Sequence, residues 1–262
     1  MKQVLTLSEY TPRSAEEAAF LTAYAPKEYP SIAYTADIVI FTIVNGRLSL
    51  LLVKRGGHPY KDCWALPGGF VNFDESSEDA ASRELEEETG LGISSSFLEQ
   101  LKTYSTPNRD PRMRVVSTAY IAFIPYEELG NPEAGDDASD AHYFAIEDLF
   151  SDDENIELAF DHETIIRDGL ERAQSKLEYT PLATQFLPET FTLSDLRRVY
   201  EAVWGTQLHV GNFRRKVLNT PDFVTPLGSK GGSTFGEGRT AELFKAGKTI
   251  LLHPAILRGE NK

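Results

Sequence analysis

The sequence predicts an α/β domain followed by a smaller C-terminal domain of two helices and a hairpin. Three observations predict it. Runs of β-branched and aromatic residues at 36–53 and 115–124 alternate with helical stretches at 76–89 and 156–175. After Pro188 the chain turns to short amphipathic segments carrying basic side chains. The charge also divides unevenly: 262 residues carry a net charge of -14, yet Pro181 to Lys262 holds eleven Lys/Arg against seven Asp/Glu. The expected domains are 1–178 and 186–262.

Taken in order, residues up to Ser31 read as a helical lead-in, with Ser14-Ala15-Glu16-Glu17 as a helix start. Ala36 to Val44 reads as a strand, Asn45-Gly46 as a tight hairpin turn and Leu48 to Val53 as the returning strand. Pro67-Gly68-Gly69 marks a loop. Ser76 or Ser77 caps a helix to about Thr89, and Gly90 ends it. Val115 to Ile124 is a further strand, Asn131 to Asp140 an exposed acidic loop, Ile156 to Ser175 a helix and Glu178 to Pro188 a linker.

In the last part, Thr192-Leu193-Ser194-Asp195 opens a helix that Gly205 breaks, and Asn212 to Leu218 forms a second helix bearing Arg214-Arg215-Lys216. Two short strands follow, at Phe223-Val224 and Ala241 to Lys245, joined by a glycine-rich turn from Gly228 to Gly238. Helix, turn, basic helix and hairpin is the order of a winged helix.

No apolar run reaches membrane-spanning length, and Met1-Lys2-Gln3-Val4 does not begin a signal peptide. The single cysteine, Cys63, excludes an intrachain disulfide framework and fits a reducing cytoplasm. No histidine and asparagine near it suggest an activated nucleophile.

The chemistry concentrates in one segment: Gly69, five residues, Glu75, seven residues, then Arg83-Glu84-Leu85-Glu86-Glu87-Glu88-Thr89-Gly90-Leu91. Successive helical residues turn by about 100°, which puts Glu84, Glu87 and Glu88 within one arc. Three carboxylates on one face repel each other unless a cation sits among them, and hard oxygen donors suit Mg²⁺ or Mn²⁺. Arg83 lies four residues before Glu87 and can hold a carboxylate, while the carbonyl of Gly69 is a natural further ligand. A glutamate-rich helix is ordinarily just a solvated face. Here the fixed residues on both sides make coincidence on the order of 10⁻⁸ per starting position.

The segment resembles the Nudix box at every specified position, which implies a Nudix α/β/α sandwich with a mixed sheet, and hydrolysis of a nucleoside diphosphate by water attack on phosphorus. By that resemblance Glu84, Glu87 and Glu88 are metal ligands, Arg83 belongs to the catalytic group, and Glu88 or Glu84 doubles as base. Val53-Lys54-Arg55, His58-Pro59, Trp64 to Val71, Asn108 to Arg112 and Ala159 to His162 are similar to one branch of the superfamily. That branch holds ADP-ribose pyrophosphatases and the Nudix-related transcriptional regulators of NAD metabolism, which carry a C-terminal winged helix.

Arg55, Arg109 and Arg112 are candidate diphosphate clamps or ordinary ion-pair residues. Phe70 and Tyr104 either stack on a nucleobase or fill core, and His162 either reaches the site or is structural. Arg214, Arg215 and Lys216 meet DNA phosphates if their helix enters a groove, with Lys230 and Arg239 on the wing; otherwise the domain only packs or dimerises. Two readings follow: a working ADP-ribose pyrophosphatase, or an ADP-ribose-responsive repressor bound to operator DNA as a homodimer, with no membrane partner.

Overall fold

In the computed structural model, residues 12–24, 31–92, 98–132, 138–151 and 155–258 are described. The start Met1 to Val4, part of the lead-in and part of the acidic loop lie outside them, as does the side chain of Arg239. Helix α1 (Ala15–Ala23) is capped by Ser14, whose side chain accepts from the Glu17 N–H. Among the described residues no helix is long and apolar enough to cross a membrane.

The first domain is built on strand β1 (Ala33–Val44), which is buried from Ala36 to Ile43. A largely apolar stretch buried along this length needs cover on both faces. One face sets Ala36, Ile38 and Ile40 against Ala80, Ala81 and Leu85 of α2 (Ser77–Thr89). The other sets Val39, Phe41 and Ile43 with Ile165, Ile166 and Ala173 of α5 (His162–Tyr179). The result is the expected α/β/α sandwich.

Asn45 and Gly46 both take positive φ, at 51° and 78°, and so turn β1 back into β2 (Arg47–Arg55). Strands β3 (Trp64–Ala65), β4 (Gly68–Phe70), β5 (Glu99–Tyr104), β6 (Val115–Phe123) and β7 (Ala138–Ala145) complete a seven-stranded sheet. Its path runs β3-β2-β1-β6-β5, with β4 on β1 and β7 on β2, and only β1–β6 is parallel among the paired strands. The short helices α3 (Tyr126–Leu129) and α4 (Ile146–Leu149) follow β6 and β7.

Several local expectations need correction. Gly68-Gly69 is not loop but strand, paired with Asp37 and Ala36. The acidic stretch ends in β7, which starts at Ala138. The helix expected from Ile156 begins only at His162, because Glu157 and Ala159 hydrogen-bond Trp64 and Leu158 bridges to it. The stretch expected as a linker ends α5 and continues as a 3-10 turn, Pro181–Phe186, whose Leu182, Ala183 and Phe186 are buried. Phe186 meets Phe123 with ring centroids 5.4 Å apart.

The C-terminal domain holds β8 (Phe191–Thr192), α6 (Leu193–Trp204), α7 (Val210–Asn219), β9 (Val224–Ser233) and β10 (Gly236–Ala246), with sheet order β8-β10-β9. Thr192 and Asp195 form a reciprocal capping box at the start of α6, and Gly205 in the left-handed conformation ends it. The hairpin strands are longer than expected. Most of the supposed glycine-rich turn is strand, since Gly231 pairs with Ala241 where any Cβ would press 2.9 Å from Leu243. One apolar cluster runs without a break from β1 through the 3-10 turn to α6 and α7.

Candidate functional site

The site grows from the contact between β4 and α2. Gly68 has φ 155°, and a Cβ there would stand 2.3 Å from the Ala36 carbonyl oxygen. Only glycine lets β4 lie this close to β1. A Cβ on Gly69 would stand 2.4 Å from the Glu84 carboxylate, so that side chain lies flat against the strand. One turn on, Glu88 accepts a hydrogen bond from Gly68 N at 2.9 Å. Gly69→Ala is therefore expected to displace the Glu84 carboxylate while leaving the fold intact. The measurement is the divalent-cation concentration that half-saturates the cation-induced rise in melting temperature, which should increase about tenfold, as when one ligand contact is disturbed.

Arg83 clasps the box together. It donates to Glu75 at 3.0 and 2.7 Å, to Glu84 at 2.7 Å, to Glu87 at 2.9 Å and to the Phe70 carbonyl at 3.1 Å. Its guanidinium holds Glu75 down at about 2, while the carboxylates raise the arginine. Of the three glutamates expected within one arc, Glu84 and Glu88 line the cavity. Glu87 turns outward to Arg83, and among the described residues no three His, Cys, Asp or Glu side chains form a ready metal cage. The physical reason is local: Arg83 supplies the positive charge for Glu84 and Glu87, and Gly68 N–H satisfies Glu88.

The remaining pair still fits a divalent cation. Glu84 and Glu88 are hard oxygen donors beside the backbone of Gly69, and all three line one cavity. Burial raises Glu84, with Glu87 and Glu75 adding repulsion, and burial pushes Glu88 up to about 8 against the Gly68 hydrogen bond. A cation relieves both penalties.

The sign of the Glu88 effect on stability is fixed by this. Between about pH 4.5 and 8 the folded chain binds the Glu88 proton more tightly than the unfolded chain does, so its stability falls as pH rises. In EDTA, Glu88→Gln is expected to raise the melting temperature at pH 8 and to change little at pH 4. The ceiling is about 4 kcal/mol, reduced by partial solvation. Thermal melts of both proteins across that range check it.

The cavity measures about 470 Å³ and gathers Arg55, Arg109, Arg112, Phe70 and His162 with the box residues. The arginines differ in what they are free to do. Arg109 is buried in a bidentate pair with Asp161, at 3.0 and 2.6 Å, with Asp37 3.9 Å away. This is the ion-pair alternative. Arg112 forks onto Asp110 and lies 5.5 Å from the Phe70 ring centre. Arg55 spends only its Nε, on the Pro59 carbonyl at 2.9 Å, and its guanidinium lies over Phe160 at 4.9 Å. Burial, and then Arg112, lower its proton affinity. An anionic ligand would stabilise that pair of cations.

Phe70 is half-exposed at the cavity, whereas Tyr104 packs in the core with its hydroxyl on Asp168 and does not reach it. His162 is buried, and its Nδ1 accepts from Leu66 N at 2.9 Å. Burial depresses its basicity, so it is neutral with its proton on Nε2. Cys63 is buried and its thiol is raised by burial, the reverse of activation.

Two cavity residues escaped sequence reasoning. Asp37 is a buried carboxylate that takes the Ser117 hydroxyl, and it was legible only as the single acid in an apolar strand. Phe160, at φ 53°, supplies the ring beneath Arg55.

At the other end of the chain, α7 buries Phe213 and Val217 and leaves Arg214 and Arg215 exposed. Lys216 is half-buried, because three consecutive helical residues cannot share one face. Arg214 reaches Glu242 of β10 at 3.5 Å, and Glu242 pairs across the hairpin with Lys230.

Comparison with known proteins agrees with this architecture. Residues 33–168 match the NUDIX domain, and residues 183–246 match the NrtR DNA-binding winged helix domain. The ADPR responsive transcriptional repressor NtrR of Acinetobacter baylyi is 34% identical over 79% of this chain and 80% of its own. The ADP-ribose pyrophosphatase of Methanocaldococcus jannaschii is 43% identical over 50% of this chain and 71% of its own. Shewanella oneidensis NrtR complexed with a 27mer DNA superposes with a TM-score of 0.66 at 30% identity, over 81% of this chain and 93% of that one. The chain therefore belongs to the Nudix family, as a NUDIX domain joined to an NrtR-type DNA-binding winged helix domain.

Proposed function

We propose that this chain binds ADP-ribose in the cavity between β4 and α2, hydrolyses it slowly to AMP and ribose 5-phosphate, and binds operator DNA through α7. The observation that carries the reading is the placing of Glu84 and Glu88 against Gly68-Gly69, in one cavity with Arg55 and Arg112. Water adds its oxygen to one phosphorus, and the bridging oxygen leaves with the other phosphate. Arg55 and Arg112 bind the diphosphate, Phe70 offers a face to the base, and Glu88 takes the water proton. Glu88 lines the cavity with one oxygen on Gly68 N, which leaves the other to accept that proton. A bound Mg²⁺ or Mn²⁺, held by Glu84, Glu88 and the Gly69 carbonyl with Glu87 swinging in from Arg83, would neutralise the phosphate oxygens. Arg83 is a positioning residue.

The second reading is a repressor with little turnover. It is favoured by the exposed Arg214 and Arg215, and by the name of the Acinetobacter relative. In either case a homodimer, with units dividing between residues 178 and 186, would match a two-fold operator. One experiment separates the readings. Gel shifts on DNA upstream of the protein's own gene, with and without ADP-ribose and Mg²⁺, are run while AMP is followed in the same tube. Release of AMP supports the enzyme; a ligand-dependent shift without AMP supports the repressor; neither result defeats both.

A further inference from the structure

Helix α5 runs from the cavity to the C-terminal domain. Its first residue, His162, lines the cavity, and its Nδ1 is fixed by the N–H of Leu66, itself a cavity residue. The proton on Nε2 is therefore a donor available to a ligand oxygen. Asp161, just before the helix, takes both arms of Arg109. In its middle, Gly169 lies so near the sheet that a Cβ would stand 3.2 Å from Val39. Twelve residues from His162, about 18 Å along the axis, stands Gln174.

Gln174 makes two hydrogen bonds to the end of α6 and a third to the C-terminal segment. Its Nε2 donates to the Val203 carbonyl at 3.0 Å, its own carbonyl accepts from Trp204 Nε1 at 3.1 Å, and its Oε1 accepts from Arg258 of the C-terminal segment at 2.9 Å. Val203 and Trp204 end α6. Tyr200 of α6 packs on Trp204 at 4.9 Å and on Phe213 of α7 at 5.3 Å. The path from cavity to α7 is thus continuous: His162, helix α5, Gln174, Val203 and Trp204, Tyr200, Phe213.

We propose that His162 donates a hydrogen bond to the nucleoside diphosphate in the cavity, and that Gln174 passes the resulting displacement of α5 to α6 and α7. This rests on the ADP-ribose reading above. A ligand shifts the α6–α7 pair only if it favours one position of α5 over another, and a donor on the first residue of that helix gives it that preference. His162 contacts ligand; Gln174 is a positioning residue that touches neither ligand nor DNA.

The chain has two tryptophans, Trp64 and Trp204, so Trp64→Phe leaves a fluorophore on the Gln174 contact. The probe is the non-hydrolysable α,β-methylene analogue of ADP-ribose, added to the full-length protein, with calorimetry alongside. Saturation is expected to shift Trp204 emission. Adding Gln174→Leu should shrink that shift at least threefold while the affinity stays within about threefold. Gln174→Glu, which keeps the shape but cannot donate to Val203, is the second variant and should act in the same direction. His162→Asn keeps an acceptor for Leu66 N and should weaken binding about tenfold, as for a lost bond to a charged group. Binding heat with no response at Trp204, or a full response in both Gln174 variants, overturns the coupling alone. An unchanged affinity in His162→Asn removes the ligand contact. No binding heat at all defeats the ADP-ribose reading, and the coupling with it.

Discussion

Glutamine at position 88 is expected to lower kcat for ADP-ribose hydrolysis by two to four orders of magnitude, about what removal of a general base costs. The substitution keeps the volume, and the amide oxygen still accepts from Gly68 N, so β4 stays in place. What it removes is the negative charge and the carboxylate oxygen proposed to take the water proton. KM should move less, because in the proposed binding mode the diphosphate is held by Arg55 and Arg112 on the cavity wall. Glu75→Gln makes the contrast: it loosens the Arg83 clasp without touching the reacting atoms, and so should cost less in kcat. Chromatographic measurement of AMP release at saturating Mg²⁺ reads both. An undiminished rate in Glu88→Gln would transfer the base to another carboxylate, with Asp37 the next candidate on the cavity wall.

The sequence showed most of this site because its geometry is encoded locally. Gly68, Gly69 and the glutamates lie on adjacent elements joined by a short loop, so spacing along the chain translates directly into spacing in space. Arg83 to Glu87 is a one-turn contact and was readable as such. What spacing could not give was the choice each side chain makes among partners. Arg109 pairs with Asp161 from 52 residues away, a partner that spacing along the chain does not show. Phe160 and Asp37 depend on the same kind of long-range packing. The fold errors share this cause. Residues 178–188 read as a linker, yet Leu182 and Phe186 are buried, with Phe186 against Phe123 of a sheet that must form first. Likewise Gly231 reads as turn until Leu243 fills the space its missing side chain leaves.

Replacing Arg214 and Arg215 together by alanine is expected to weaken DNA binding by about ten- to a thousandfold at moderate salt, and to flatten the dependence of affinity on salt by about two phosphate contacts. Both guanidinium groups stand on the exposed face of α7, while Phe213 and Val217 keep the helix docked, so the variant should melt where the parent does. The two arginines do not contribute equally. Arg214 is partly neutralised by Glu242, which also faces Lys230 across the hairpin, whereas Arg215 has only the weak acceptor Asn212 at 3.3 Å. Arg215→Ala alone should therefore remove more of the salt dependence than Arg214→Ala alone. Glu242→Gln should work the other way, freeing Arg214 and Lys230 to meet phosphates, with tighter binding to DNA of any sequence and a steeper salt slope. Fluorescence anisotropy on one labelled duplex over a salt series reads the parent and all four variants. Equal slopes throughout would take α7 out of the interface, whereas a shallower slope in the arginine variants with a steeper one in Glu242→Gln would assign the DNA-facing surface to α7 and the base of the wing.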